Sequence, residues 1–577
     1  MLVLWTLACA GRSTPAPVPA PTEVEEAAAP AAKVAPERSM VFAEVERPAE
    51  PGTLTEPIAT TSVKVNGEDH RIDYTVLRRT GDDGFGTILD RAGAPLPELC
   101  NEQDFNSLLA VDDALFLVSH FECTPGGMNV TALQQDPAGK LSVDRSTPID
   151  WAPVGGLWNP CAGQVTPWNT HLASEEYEPD GRRVPVKADG WPYIAWSRME
   201  AYQPEPLSPW RYGWTPEVRI TGADGSVALA KHLAPGRFSH EIAYVLPDER
   251  TVYLSDDGYA VGWFLFVADT PGELSAGHLY AAKLTVDDRA DGGRMRIGWV
   301  SLGHATDAEI QPLIDAEVPF TALFDAVDPG PDEACPDTHR FVRHAYGEEC
   351  LALAAPSEAV PDPALAASRL ETRRYAAWRG ATTELVKGEG VSFDPVAGTV
   401  FVAISSVKAT MTDGKGHVDL DAEACGGVYG GAVADWQVDT DGAAIPSAHV
   451  MTELVPVVMG RSEGKACADD GIANPDNITY LPGYEQLVIA EDTSKHANAY
   501  LWSYDLRRGV LQRLMIAPPY GELTGVHWIP DVGGHGYLTV SVQHPWSEGA
   551  DELPEGITEA DTRTFTGVLG PFPPLDP

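Results

Sequence analysis

Basic residues are scarce in this chain. Lys plus Arg total 40 against 84 Asp plus Glu, a formal charge of −44 over 577 residues. Such a surface repels nucleic acid and anionic lipid heads, which excludes a general polyanion-binding role. An anionic substrate would have to be drawn in by bound cations. Long apolar runs are missing too: no segment past the N-terminus reaches the ~18 residues that a membrane-spanning helix requires. No phosphate-binding P-loop and no dinucleotide fingerprint occurs. His240-Glu241 opens like a zinc-protease motif, but Tyr244 stands where the second His belongs. Residues 460–464 (GRSEG) spell a nucleophile elbow without the strand and helix that would flank one. Asp439-Thr440-Asp441-Gly442 starts like a calcium loop, lacks the closing Glu, and reads as a hairpin turn.

Turn formers and aromatics, in contrast, are plentiful: 54 Gly, 49 Pro, 15 Trp and 18 Tyr. With 44% hydrophobic and 21% charged residues, they point to a folded all-β protein. Residues 1–9 (MLVLWTLAC) read as a truncated lipoprotein-like signal segment, in which Leu7-Ala8-Cys9 resembles a lipobox and Cys9 is the acylated residue. No Lys or Arg precedes Cys9, and Thr6 takes the place of an aliphatic residue. Residues 10–45 form a Pro/Ala-rich linker, 46–548 the globular domain and 549–577 an acidic, Pro-rich tail. The expectation is an exported protein of the cell envelope or the extracellular space, touching the membrane only through its lipid and acting as a monomer. Of eight cysteines, sequence neighbours suggest the disulfides Cys100–Cys123, Cys335–Cys350 and Cys425–Cys467. Cys161 is left over, either as a metal ligand or as a buried packing thiol.

Four segments share one hairpin pattern: an alternating strand, a Pro-containing turn and a strongly apolar strand. Their prolines fall at 247, 395, 482 and 530, separated by 148, 87 and 48 residues, about three, two and one blade-sized repeats. The reading is a β-propeller of six blades with long insertions, rather than a large β-sandwich. Six residues before these prolines stand Glu241, Glu389, Asp476 and Thr524. Equivalent positions in successive blades lie on a ring about the central axis. Three carboxylates facing one another there call for a hard cation between them.

The richest stretch is 159–180 (NPCAGQVTPWNTHLASEEYEPD), which holds Cys161 and the adjacent pair Glu175-Glu176. It resembles the Cys-x-Gly, Thr-Pro-Trp-Gly-Thr and Glu-Glu signature of the PhoX-type alkaline phosphatases. In the same order follow or precede Ser119-His120-Phe121-Glu122, similar to Asn-His-Glu; 236–241 (GRFSHE), similar to Phe-x-His-Glu; and Lys387-Gly388-Glu389-Gly390, similar to Arg-x-Glu-Gly. Pro475-Asp476-Asn477 and Gln543-His544-Pro545 complete the set. The resemblance implies a propeller carrying Ca²⁺ and Fe³⁺ at the mouth of its channel, and hydrolysis of phosphate monoesters. It implies Cys161 as a thiolate ligand of iron, and Glu175, Glu176, Glu241, Glu389 and Asp476 as ligands of iron or calcium. Lys387 becomes the cationic clamp on a small phosphorylated substrate, Asn477 a hydrogen-bond donor, and Glu241 a member of the catalytic set. Departures cluster around the substrate: Lys387 replaces a forked Arg by a point charge, Asn169 replaces a Gly, and Ser119 and Ser541 stand where Asn is expected. A non-catalytic propeller stapled by metals and a phosphodiesterase are the alternatives. His120, His171 and His240 are open between ligand and structural roles, and Trp191, Trp196, Trp210 and Trp214 between a lid and core packing.

Overall fold

The computed structural model describes residues 38–183, 198–203, 207–546 and 553–575. The hairpin pattern seen in the sequence is realised in full. His240–Val245 pairs with Thr251–Asp256, Gly388–Asp394 with Thr399–Ile404, Pro475–Leu481 with Gln486–Glu491, and Glu522–Val532 with His535–Gln543. Two further hairpins of the same kind precede them, Gln103–Val111 with Ala114–Phe121 and Pro160–Val165 with His171–Glu175. The first turns on Asp112 at φ +53° and has no Pro; the second turns through Thr166 to Thr170 with Asn169 at φ +61°.

Each hairpin is extended outward into an antiparallel sheet, as in Gln103–Val111, Ala114–Phe121, Gly127–Gln135 and Leu141–Pro148. Among the described residues, the inner strand of each of these six hairpins touches the next, and the sixth touches the first. In chain order, the third and fourth hairpins share one ten-stranded sheet, joined where Arg294–Thr306 pairs with Glu453–Met459. The fold is therefore a β-propeller. Its ring is closed by the chain ends: Asp73–Arg79 is the outer strand of the last sheet, hydrogen-bonded to Phe565–Phe572. Closure leaves the ring no open edge at its seam. Facing sheets are glued by apolar layers, for example Val252, Leu254, Phe264, Phe266 and Leu279, all essentially inaccessible. Each such side chain contributes about 1.5–3 kcal/mol on burial.

Two boundaries drawn from the sequence shift. The segment assigned to a tail contains Phe565–Phe572, which lies between His535–Gln543 and Asp73–Arg79 inside a sheet. Its flanking prolines masked a short alternating strand. At the other end Met40–Phe42, placed in the linker, pairs with Ser62–Val65. Residues 1–37 with Cys9, Trp191 and Trp196, and 549–552 of the tail lie outside the described residues. Trp210 and Trp214 are buried and belong to the core, not to a lid.

All three expected disulfides are present, and Cys161 is free. They close loops of 23, 15 and 42 residues and place the fold in an oxidising, extracytoplasmic setting. Among the described residues no helix is long and apolar enough to cross a membrane. One insertion matters for the site. After the long strand Arg294–Thr306 come a helix, Asp307–Asp315, a small sheet that includes Arg340–His344 and Gly347–Leu353, and the helices Pro363–Leu370 and Thr372–Arg379. Thr306 and Glu309 cap the first helix reciprocally, and Asp362 caps the second.

Candidate metal centre

Every inner strand begins with the same defect, a β-bulge in which two of its residues oppose one on the neighbouring strand. The first bulged residue is Asp104, Cys161, Glu241, Glu389, Asp476 and Gly525 in chain order. A bulge re-aims a side chain, and here it turns five potential ligands toward the channel mouth. The sixth position differs from the sequence reading. The last hairpin has a second irregularity between Ile529 and Val532, so Gly525, not Thr524, occupies the ring. A Cβ on Gly525 would lie 2.7 Å from the Asp104 carbonyl oxygen, and its φ is +63°. Thr524 instead hydrogen-bonds Asp104 and Asn477.

A second tier stands just beyond the ends of the neighbouring strands. Glu122, Glu176, Asp257 and Asp492 each follow the residue paired with the start of the bulge. Both tiers except Asp104 and Gly525, with Glu102, Glu522, Lys387, Tyr177, Gln543 and His544, surround a cavity of about 520 Å³. Ligand atoms come within 4.8 Å of one another in four groups: Asp104–Glu122–Cys161, Cys161–Glu176–Glu241, Glu241–Glu389–Asp476 and Asp476–Asp492–Glu522. Successive groups share Cys161, Glu241 and Asp476, so they form one continuous arc rather than separate sites.

The electrostatics are those of a site built for cations. Burial, reinforced by Asp104, pushes Glu122 up to about 7. Burial and then neighbouring acids also hold Glu176, Glu241, Asp476 and Glu522 well above the ordinary carboxylate range. Glu389 is raised by burial although Lys387 opposes it. The Cys161 thiol is raised by burial and by Glu122 and Glu241. It becomes a thiolate only when a cation replaces its proton. Gln543 donates to Glu122 at 2.9 Å, while its own Oε1 is buried without a hydrogen-bond partner and adds one more oxygen donor. Carboxylates and an amide oxygen suit hard cations, and a single thiolate suits a transition metal, so the donor set fits a mixed cluster.

Lys387 is the cation of the cavity. Its Nζ lies 3.3 Å from Glu389 and 3.6 Å from Asp492. Burial works against its charge, but Asp257, Glu389 and Asp492 more than offset this and hold its pKa well above normal. Its φ of +55° is matched at the same register by Asn159 at +39° and Asn474 at +44°. Strain of about 1–3 kcal/mol per residue is thus concentrated where the chain enters the ring.

Most of the residues singled out from the sequence meet here, and two do not. Cys161, Glu176, Glu241, Glu389, Asp476 and Lys387 line the cavity. Glu175 points away from it. Its carboxylate accepts hydrogen bonds from the backbone N–H groups of Trp158, Gly213 and Trp214, and pairs with Lys231 at 2.6 Å. Asn477, the second bulged residue, also faces away: its Nδ2 donates to Asp476 at 2.6 Å and its Oδ1 accepts from the Gly525 N–H at 2.7 Å. It orients Asp476. His120, His171 and His240 lie outside the cavity lining, committed to Asp104, to each other and to the Gly236 carbonyl. Asp104, Asp257, Asp492 and Glu522 were missed. Two signals were available. Pro167 stands six residues after Cys161, the spacing used for the other ring acids. Paired acids also recur at Glu175-Glu176, Asp256-Asp257 and Glu491-Asp492, always with the first anchored in protein and the second facing the cavity. Residues 460–464 lie at a small hairpin joined by the Cys425–Cys467 bridge, and Asp439 caps a turn through the Asp441 and Ala443 N–H groups.

A pH dependence follows. Carboxyls raised above their unfolded values stabilise the fold while protonated, and that stability is lost as pH rises through their folded pKa. Burial holds His171, His240 and His527 low, which gives the opposite slope, but only below about pH 6.5. Above about pH 6.5 the raised carboxyls of the arc dominate. Chelator-treated protein is expected to lose several degrees of melting temperature as pH rises above that point, and protein in millimolar calcium to lose none, as scanning calorimetry would record.

Comparison with known proteins agrees with this geometry. No curated sequence matches the chain closely enough to count as a relative. Among solved structures, Pseudomonas fluorescens PhoX in complex with vanadate, a transition-state analogue, superposes with a TM-score of 0.59 at 17% identity, covering 92% of this chain and 98% of that one. A putative 6-phosphogluconolactonase from Bacteroides uniformis aligns over 76% of this chain and 93% of its own, at 12% identity and a TM-score of 0.28. The family model for alkaline phosphatase PhoX matches residues 129–546, which take in four of the five bulged acid and thiol residues and most of the second tier. The chain belongs to the alkaline phosphatase PhoX family and is a hydrolase of phosphate monoesters.

Proposed function

We propose that the arc holds calcium and ferric iron together, with Cys161 as the thiolate ligand of iron, and that phosphate monoesters are hydrolysed against it. The observation that carries this reading is the sharing of Cys161, Glu241 and Asp476 between successive ligand groups, which suits a cluster of bridged ions. When bound, such ions polarise phosphoryl oxygens and neutralise the charge that builds in transfer. They also make an acidic mouth attractive to an anion. The protein's own contribution is positional. Lys387 brings a protonated amine to the cavity wall, restrained between Glu389 and Asp492, where it can grip a phosphoryl oxygen. Tyr177 donates its hydroxyl to Asp257 and fixes that carboxylate beside Glu176. Asn477 holds Asp476, and Gln543 holds Glu122.

The closed ring of six inner strands supports six blades. A single chain supplies every ligand, which supports action as a monomer. The apolar segment before Cys9 and the Pro/Ala stretch after it support a lipid-anchored enzyme of the cell envelope.

Elemental analysis of purified protein, with aryl phosphate hydrolysis measured alongside, tests the assignment. Iron and calcium are expected in the wild type. Cys161→Ala is expected to lose the iron and at least about a hundredfold in activity, the scale of a missing contact to transition-state charge. Bound metal without hydrolysis would instead leave a propeller stapled by its ions, and faster cleavage of diesters would move the assignment to a phosphodiesterase.

A further inference from the structure

The second tier hangs on two short segments. Glu176, Tyr177 and Glu178 leave the strand His171–Glu175, and Asp257 and Gly258 leave the strand Thr251–Asp256. They meet at the cavity, where the Tyr177 hydroxyl donates to Asp257 and the Gly258 carbonyl accepts from the Lys387 N–H at 2.8 Å. They belong to different sheets, so no strand ladder sets the distance between them.

A residue from the insertion does. Arg373, at the start of the helix Thr372–Arg379, is 5% exposed. Its Nε donates to both Asp256 carboxylate oxygens at 2.8 and 3.1 Å, and its Nη2 donates to Asp256 and, at 2.6 Å, to the Asp257 carbonyl. Its Nη1 reaches Glu178 at 3.4 Å. Tyr346, from the small sheet of the same insertion, donates its hydroxyl to Glu178 and lies under the guanidinium, 5.4 Å from ring centroid to Cζ. One planar fork thus grips the segment after Glu176 on one side and the segment of Asp257 on the other. The neighbouring Arg374 is fully buried and also stacks on Tyr346, at 4.6 Å, but its ion pairs are with Glu349, Glu371 and Asp180, none of which lines the cavity.

We propose that Arg373 is a positioning residue for the metal centre: by tying the exit segments of two adjacent sheets together, it sets the spacing of Glu176 and Asp257. This rests on the metal-binding reading of the cavity. A Lys keeps the charge but loses the fork, so it can hold one segment and not both.

The test is binding of Ca²⁺ by calorimetry and of Tb³⁺ by sensitised luminescence, with melting temperatures, for wild type, Arg373→Lys, Arg374→Lys and Tyr346→Phe. Arg373→Lys is expected to weaken Ca²⁺ and Tb³⁺ binding by about 10–100-fold, the scale seen when a group behind a metal ligand is lost. In the same variant kcat falls more than KM rises, since the ions and not the leaving group are displaced. Tyr346→Phe, a milder change that keeps the packing, is expected to weaken binding several-fold. Arg374→Lys is expected to lower the melting temperature and leave ion affinity unchanged. Equal thermal losses in Arg373→Lys and Arg374→Lys, with unchanged affinities in both and in Tyr346→Phe, would reduce Arg373 to a structural ion pair. A wild type that binds neither ion would overturn the metal reading itself, and Arg373 positioning with it.

Discussion

Replacing Glu241 by Gln is expected to abolish hydrolysis and, at the same time, to make the metal-free protein more stable. Glu241 is the hinge of the arc, shared by the group containing Cys161 and Glu176 and by the group containing Glu389 and Asp476. An amide in its place would offer bound cations one neutral oxygen where the carboxylate offers two charged ones. Loss of several kcal/mol of charge stabilisation corresponds to a fall of about a thousandfold or more in kcat/KM. The stability effect has the opposite sign because Glu241 is 3% exposed, and burial and then Glu389 and Asp476 disfavour its charged form. Gln removes that penalty, on the order of 1–3 kcal/mol. In chelator at pH 8 the variant should melt a few degrees above the wild type, and in calcium below it. An inactive variant that melts lower under both conditions would mean that Glu241 braces the fold and does not serve the ions.

Glu241 was legible in the sequence because its position repeats with the fold. A propeller repeats one hairpin, and the turn prolines at 247, 395, 482 and 530 mark it because Pro fixes the same backbone angle at the same corner each time. The register they define runs along the chain, so it led to Glu241, Glu389 and Asp476 without any knowledge of pairing. It failed by one residue at Thr524, where an extra irregularity in the last hairpin shifts Pro530 relative to the bulge. It could not reach Asp104, whose hairpin turns on Asp112 instead of Pro. The seam was hidden for a different reason. Asp73–Arg79 and Phe565–Phe572 are neighbours only because the ring closes, and no local pattern encodes a contact between the two ends of a chain. The positioning role of Arg373 was invisible on the same grounds: its partners lie 116, 117 and 195 residues away.

The adjacent acids Glu175 and Glu176 sharpen the distinction between ligand and brace, and their variants are expected to differ in kind. Successive side chains at a strand end point to opposite sides. Glu176 turns into the cavity beside Cys161 and Glu241, whereas Glu175 turns into the protein and satisfies three backbone N–H groups and Lys231. Glu491 does the same work in its own sheet, accepting from the Ala473 and Tyr500 N–H groups, the Trp502 indole and His496, ahead of the cavity residue Asp492. In both sheets the anchored acid holds the backbone three residues before a ring position, Trp158 before Cys161 and Ala473 before Asp476. Glu175→Gln leaves Lys231 buried without its counter-charge and sets an amide N–H₂ against existing donors. Breaking such a pair costs about 3–5 kcal/mol. Purified Glu175→Gln should therefore unfold at clearly lower denaturant concentration, while whatever remains folded still binds metal. Glu176→Gln should keep the denaturation midpoint of the metal-free wild type or exceed it, and lose metal and hydrolysis together. Denaturation curves and elemental analysis of the two variants side by side decide the matter, because an assignment of both acids to the ions requires both to keep their stability and both to lose their metal.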